Sequence, residues 1–116
     1  MAATINGPGE GERFDRDNRV VTIKAELPQL SVNEIAFDPD FEVSPHRHDD
    51  HVDAFYVLEG TVEFTVGDET VQAGPGTFVA IPPDTVHGFA NRGPGRARVL
   101  NFHAPDAGFA AWIRQQ

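Results

Sequence analysis

The chain has 116 residues, 40% of them hydrophobic, and a formal net charge of −9. That length predicts one domain with a core of its own, and the composition is that of a globular chain rather than a disordered one. The lack of cysteine excludes disulfides, thiolate metal sites and cysteine nucleophiles, and the acidic balance argues against nucleic acid or anionic membrane as partners.

Residues 1–18, with Gly7, Pro8, Gly9, Glu10 and Gly11, read as a flexible arm, and one domain is expected over 19–116. The arm holds no apolar signal-type stretch, and no run in the chain reaches transmembrane length, so the expected location is cytoplasmic. Val20, Val21 and Ile23 mark a short strand and residues 31–37 a second, while Pro28, Pro39 and Pro45 argue against a long helix. Over 53–66, Phe55 and Val57 share one strand face. After Gly60, the run from Thr61 to Val66 alternates polar and apolar, turning Val62, Phe64 and Val66 toward a core. Gly67-Asp68-Glu69 leads into a return strand over 70–73, and short strands follow at 77–81, 86–90 and 96–103. Strands at such intervals, with Gly, Pro and Asp between them, predict an all-β sandwich or barrel. A short C-terminal helix is expected where Phe109, Trp112 and Ile113 stand at helical spacing, with Asp106 a candidate N-cap. Its apolar side would pack outside the barrel or on a neighbouring subunit.

The histidines carry the chemistry. His46 and His48 are two residues apart, which on an extended segment puts both imidazoles on one face. Asp53 opens the strand of Phe55 and Val57 and should point inward with them. His87 opens a later strand and shares its face with Phe89 and Asn91. Three imidazoles and one carboxylate converging inside a barrel would form a facial set for one divalent ion, with positions left open for substrate. His51, in the acidic run before Asp53, is either a solvent-facing loop histidine or a substitute ligand. His103 ends the last strand and either lines the pocket or sits near the surface. Phe55, Val57, Phe64 and Phe89 are the expected pocket wall, with Phe78 or Val79 beside them. Arg47, Arg92, Arg96 and Arg98 fall on loops or edge strands. An apolar lining of this kind fits a small aromatic or carbonyl-bearing substrate better than a phosphosugar. Glu59 reads as solvated and Tyr56 as outer-face packing.

The run PHRHDDHVDAFYVLEG resembles the first motif of the cupin family, with His46, His48, Asp53 and Gly60 in register. GTFVAIPPDTVHGFAN resembles the second, through Gly76, Pro82, His87 and Asn91. The resemblance runs from about residue 34 to 104 and implies a double-stranded β-helix, a jelly-roll barrel. Three positions depart from the pattern. Asp53 stands where the family has Glu, so a backbone shift, a bridging water or another ligand must make up one methylene. Asp84 and Asp40 stand where the motifs usually have glycine, and Asp84 must either make its turn harder to adopt or take the left-handed conformation. Cupins include quercetinase-like dioxygenases, decarboxylases, isomerases, cyclases and non-enzymatic proteins, and the fold does not choose among them. The histidine set and apolar lining make a dioxygenase-like oxidoreductase the first expectation, on Fe, Mn or Ni with Zn as the alternative, Asp53 doubling as a catalytic base. An O2-independent isomerase or lyase and a non-catalytic binding module are the alternatives. Pairing of small cupins implies a homodimer, with Phe109 and Trp112 as contributors.

Overall fold

Turn residues cut the chain into short extended segments, and these pair as ten antiparallel strands. The computed structural model describes residues 3–116; Met1 and Ala2, the tip of the expected arm, lie outside the described residues. In chain order come β1 (Glu12–Arg16), β2 (Arg19–Leu27), β3 (Leu30–Phe37), β4 (Glu42–His46), β5 (Val52–Glu59) and β6 (Val62–Val66). They are followed by β7 (Glu69–Ala73), β8 (Phe78–Ile81), β9 (His87–Ala90), β10 (Ala97–Ala104) and the helix α1 (Phe109–Arg114). The strands form a six-stranded sheet, β1-β2-β3-β10-β5-β8, and a four-stranded sheet, β4-β9-β6-β7. The architecture is the expected all-β jelly roll, built as two facing sheets rather than one continuously hydrogen-bonded barrel. Among the described residues no helix is long and apolar enough to cross a membrane.

The inner faces follow a period of two, and that period sorts residues by height as well as by face. In β3 the buried residues are Ser31, Asn33, Ile35 and Phe37; in β10 they are Ala97, Val99, Asn101 and His103. Because the pair is antiparallel, Asn101 faces Asn33 and His103 faces Ser31, while Ala97 faces Phe37. The neighbouring register sets His103 opposite Asp53 on β5. The polar ends of three strands are thus stacked at one end of the sandwich and the apolar ends at the other. Phe55, Phe64 and Phe89 meet across the sheets with ring centroids 5.1–6.0 Å apart, and Phe37 lies 5.6 Å from Phe89. This aromatic layer separates the polar end from the Val57, Val62 and Val99 core, and each buried side chain contributes about 1.5–3 kcal/mol of transfer free energy.

Three local features differ from the sequence expectation. Glu12–Arg16, inside the stretch read as an arm, pairs with β2 along its whole length, its alternation hidden because it covers an edge instead of filling the core. The helix is capped by Gly108 in the left-handed conformation, with no side-chain cap; Asp106 Oδ1 instead accepts a hydrogen bond from the Gly108 amide at 3.1 Å, just ahead of the helix. Ala110 and Ile113 are buried in the same core as the strands, so the helix packs on its own chain. Phe78, proposed for the pocket wall, is 57% exposed on the outer face near Tyr56 and Phe102.

Asp40 and Asp84, the two positions that replace family glycines, both take positive φ, 75° and 66°. Aspartate reaches that region at modest cost because its short side chain bonds locally. The Asp84 amide then donates to the His48 carbonyl at 2.6 Å, tying the β8–β9 turn to the histidine loop. Gly88 lets β9 approach β4: a Cβ there would lie 2.6 Å from the Val43 carbonyl oxygen. Gly88→Ala is therefore expected to lower unfolding free energy in urea by about 1–3 kcal/mol. Gly74→Ala, where nothing lies within 4 Å, should change it by less than about 0.5 kcal/mol.

Candidate metal centre

Strand ends bring the four expected ligands together. His46 closes β4, where a register shift between Val43 and His46 places it opposite His87, the first residue of β9. Such a bulge bends the strand and re-aims the side chain that follows it. His48 lies two residues on, outside the strand, with its ring 4.6 Å from that of His46 and 5.3 Å from that of His87. Asp53 enters from the inner face of β5. One donor atom from each of His46, His48, Asp53 and His87 lies within 4.8 Å of all the others. Ligands at about 2.1 Å from one ion stand about 3–4 Å apart, so the set fits a single divalent cation after small side-chain movements.

The rings are held in the tautomer a metal needs. His46 Nδ1 donates to the Ser44 carbonyl and His87 Nδ1 to the Thr85 carbonyl, each at 2.8 Å. A carbonyl oxygen only accepts, so both Nδ1 atoms carry hydrogen and Nε2 is the nitrogen turned to the centre; in His87 that atom is hydrogen-bonded to Asp53 Oδ2 and would give up its proton on binding an ion. Asp53 is 4% exposed. Its Oδ1 accepts from Asn101 Nδ2 at 2.7 Å and lies 3.3 Å from His103 Nε2. Its Oδ2 lies 3.0 Å from His87 Nε2 and 3.7 Å from His48 Nε2. Burial raises the Asp53 carboxyl, but the hydrogen bonds of His103, His87 and Asn101 outweigh it and hold the group far below the usual carboxylate range. Burial, with His51 and His46 beside it, lowers His48. Burial also lowers His87, yet Asp53 and the Thr85 carbonyl more than reverse this and raise it. The donor set is thus an anion ringed by imidazoles, chemistry suited to a borderline divalent ion.

A cavity of about 410 Å³ opens over the centre, walled by Ile35, Val43, Phe55, Phe89 and Phe109 beside His46, His48, Asp53, Asn101 and His103. Phe55 and Phe89 stand where the sequence placed them. Val57 shares the face of Phe55 but sits one layer deeper, and Phe64 lies beside Phe89 on the next strand, 0% and 1% exposed in the core; Val79 packs against that core rather than the cavity. His51 is neither solvent-facing nor in the converging set. It is 6% exposed, its Nδ1 lies 2.7 Å from Asp50 Oδ1, and its ring packs 4.4 Å from His48 and 5.0 Å from His103. His51 Nε2 and His103 Nδ1 are buried with no partner among the described residues. Asn91, the motif asparagine, is structural: it donates to the Phe37 and Gly95 carbonyls and accepts from the Gly93 amide.

Asn101, Phe109, Trp112 and Arg19 complete the site without having been singled out as its residues. Asn101 and His103 continue the inward phase of Ala97 and Val99, and Arg19 that of Val21 and Ile23. A polar residue in phase with buried apolar ones was the available signal.

Comparison with known proteins agrees with this geometry. A quercetin 2,3-dioxygenase of Bacillus subtilis is 28% identical over 85 residues, 70% of this chain, which spans only 25% of that enzyme's length. The structure of KdgF from a Halomonas species superposes with a TM-score of 0.84 at 24% identity, covering 94% of this chain and 99% of that one. A sugar phosphate isomerase of the cupin superfamily from Silicibacter pomeroyi superposes at 0.68 and 21% identity, over 77% of this chain and 60% of its own. The family model for the cupin domain matches residues 33–103, which takes in both histidine stretches, the buried aspartate and the strands that carry them, and the chain belongs to the cupin family.

Proposed function

We propose that the protein is a mononuclear metal-dependent cupin enzyme acting on a small organic substrate, an oxidoreductase of dioxygenase type. The observation that carries this is the convergence of His46, His48, Asp53 and His87 within 4.8 Å beside a cavity walled largely by aromatic and aliphatic side chains. A bound Fe, Mn or Ni ion would supply Lewis-acid polarisation of a substrate oxygen and a template for a second reactant. The protein's own side chains do the remainder. Phe55, Phe89 and Phe109 exclude water and hold a flat ring. Asn101 fixes Asp53, and His103, facing the cavity 3.3 Å from Asp53 Oδ1, can take up or return a proton beside that carboxylate. Likeness to the quercetin dioxygenase supports the oxidative choice.

The second reading, an O2-independent isomerase or lyase, draws on the same His103–Asp53 pair, since proton transfer alone would use it, and on the likeness to the sugar phosphate isomerase. Oxygen uptake with a flavonol or diketone separates the two. The oxidoreductase consumes O2 only when metal-loaded and stops under anaerobiosis; turnover that continues without O2 selects the isomerase or lyase. Ligand retention with no product across metal-loaded preparations would leave a binding protein.

Elemental analysis of gently purified protein should give about one transition-metal ion per chain, with His87→Ala losing it. Asn101→Ala, which frees Asp53 to rotate, should retain the fold by circular dichroism and weaken metal affinity by about 10–100-fold. Full metal content in His87→Ala would refute the ligand assignment.

A further inference from the structure

Arg19 opens β2 on the face of Val21 and Ile23 and lines the same cavity as His46, His48 and Asp53. Its guanidinium carbon lies 5.4 Å from the Phe41 ring centre and 5.8 Å from that of Trp112, so two aromatic rings hold the cation in place. Yet it makes no hydrogen bond and no ion pair among the described residues. Arg13, Arg92, Arg96, Arg98 and Arg114 all have carboxylate partners. Of the acids in the adjoining groove, Asp15 is engaged with Arg13 and Glu42 with Arg92, and Asp17, in the turn before β2, forms no ion pair with Arg19. Across the β1–β2 hairpin Arg16 pairs directly with Arg19, and its own guanidinium reaches the Ile113 carbonyl at 2.9 Å. Burial and this neighbouring charge both press the Arg19 guanidinium below its ordinary value. In a chain of net charge −9, a half-buried cation with a like-charged neighbour and no counter-ion is a feature that a stability argument does not account for. A bound anion would relieve both the desolvation and the repulsion.

We infer that Arg19 is the anion-recognising end of the substrate site, and that the substrate is an organic carboxylate whose far end reaches the His46–His48–Asp53–His87 centre. This deepens the proposed function and rests on it. A single guanidinium presents a planar fork matched to one carboxylate, and the apolar walls between it and the histidines suit a ring or short carbon chain joining the two ends. Arg19 acts as a specificity residue, and the remaining arginines face away from the cavity or are paired.

The test uses full-length protein loaded with Co(II) and two probes, the dihydroxybenzoic acid protocatechuate and its neutral primary amide. Both offer the same vicinal oxygens to the metal and differ only at the distal group. Calorimetric titration, checked by the Co(II) visible band, should show the acid bound about tenfold tighter than the amide. Arg19→Met, which keeps the stem between Phe41 and Trp112, should reduce that ratio to near unity by weakening the acid far more than the amide. Raising ionic strength should erode the preference in the unsubstituted protein, a readout that needs no variant. Equal binding of acid and amide, or a preference that survives Arg19→Met, overturns the inference. Protein that takes up no Co(II) overturns the metal reading and this inference with it, and that failure is seen before any probe is added.

Discussion

A carboxylate with 4% of its surface exposed is tolerated only where donors or cations surround it, and Asp53 sets that condition for the rest of the site. A buried, unpaired anion costs several kcal/mol even after relaxation. Here the cost is met from two strands and one loop: Asn101 and His103 on β10, His87 on β9 and His48 beyond β4. Each of those side chains reaches Asp53 only because its strand ends at the same height, so the antiparallel registers of β3, β10 and β5 serve the site as much as the sheet. The Gly88 close approach and the β4 bulge then bring His46 in from the opposite sheet.

The same stacking explains the division of labour inside the sandwich. Phe55, Phe64 and Phe89 form a hydrophobic floor, below which the core holds Val57, Val62, Val99 and Phe37 and above which the lining turns polar. The aromatic layer lies between the apolar end and the polar end, where buried imidazole nitrogens such as His51 Nε2 and His103 Nδ1 have no partner among the described residues. Sites of this kind commonly trade local satisfaction for chemistry. Arg19, Phe109 and Trp112 line the cavity from outside the histidine motifs, beside Phe55 and Phe89 from within them.

Much of this was legible from periodicity and spacing. Asp53, Phe55 and Val57 on one face, and the unbroken alternation from Thr61 to Val66, located β5 and β6 within a residue or two. The histidine spacings marked the four residues that converge. Periodicity names a face but not a position on it, and that position set Val57 one layer below the pocket wall and Phe64 beside Phe89 on the neighbouring strand. β4 was hidden by Pro45 and by its bulge, and β1 by its charged, edge-covering sequence. Asn101, His103 and Arg19 carried the signal of polar residues in phase with buried ones. Their contacts depend on which strands neighbour which, and a crossover such as β3-β10-β5 cannot be read from local pattern.

X-ray absorption at the metal edge, on protein purified without chelators, tests the central claim most directly. The structure predicts a first shell of nitrogen and oxygen at about 2.0–2.2 Å, with the multiple-scattering signature of three imidazoles that falls to two in His46→Ala. A shell of oxygen alone, or an imidazole count untouched by that substitution, would contradict the convergence of these side chains on one ion.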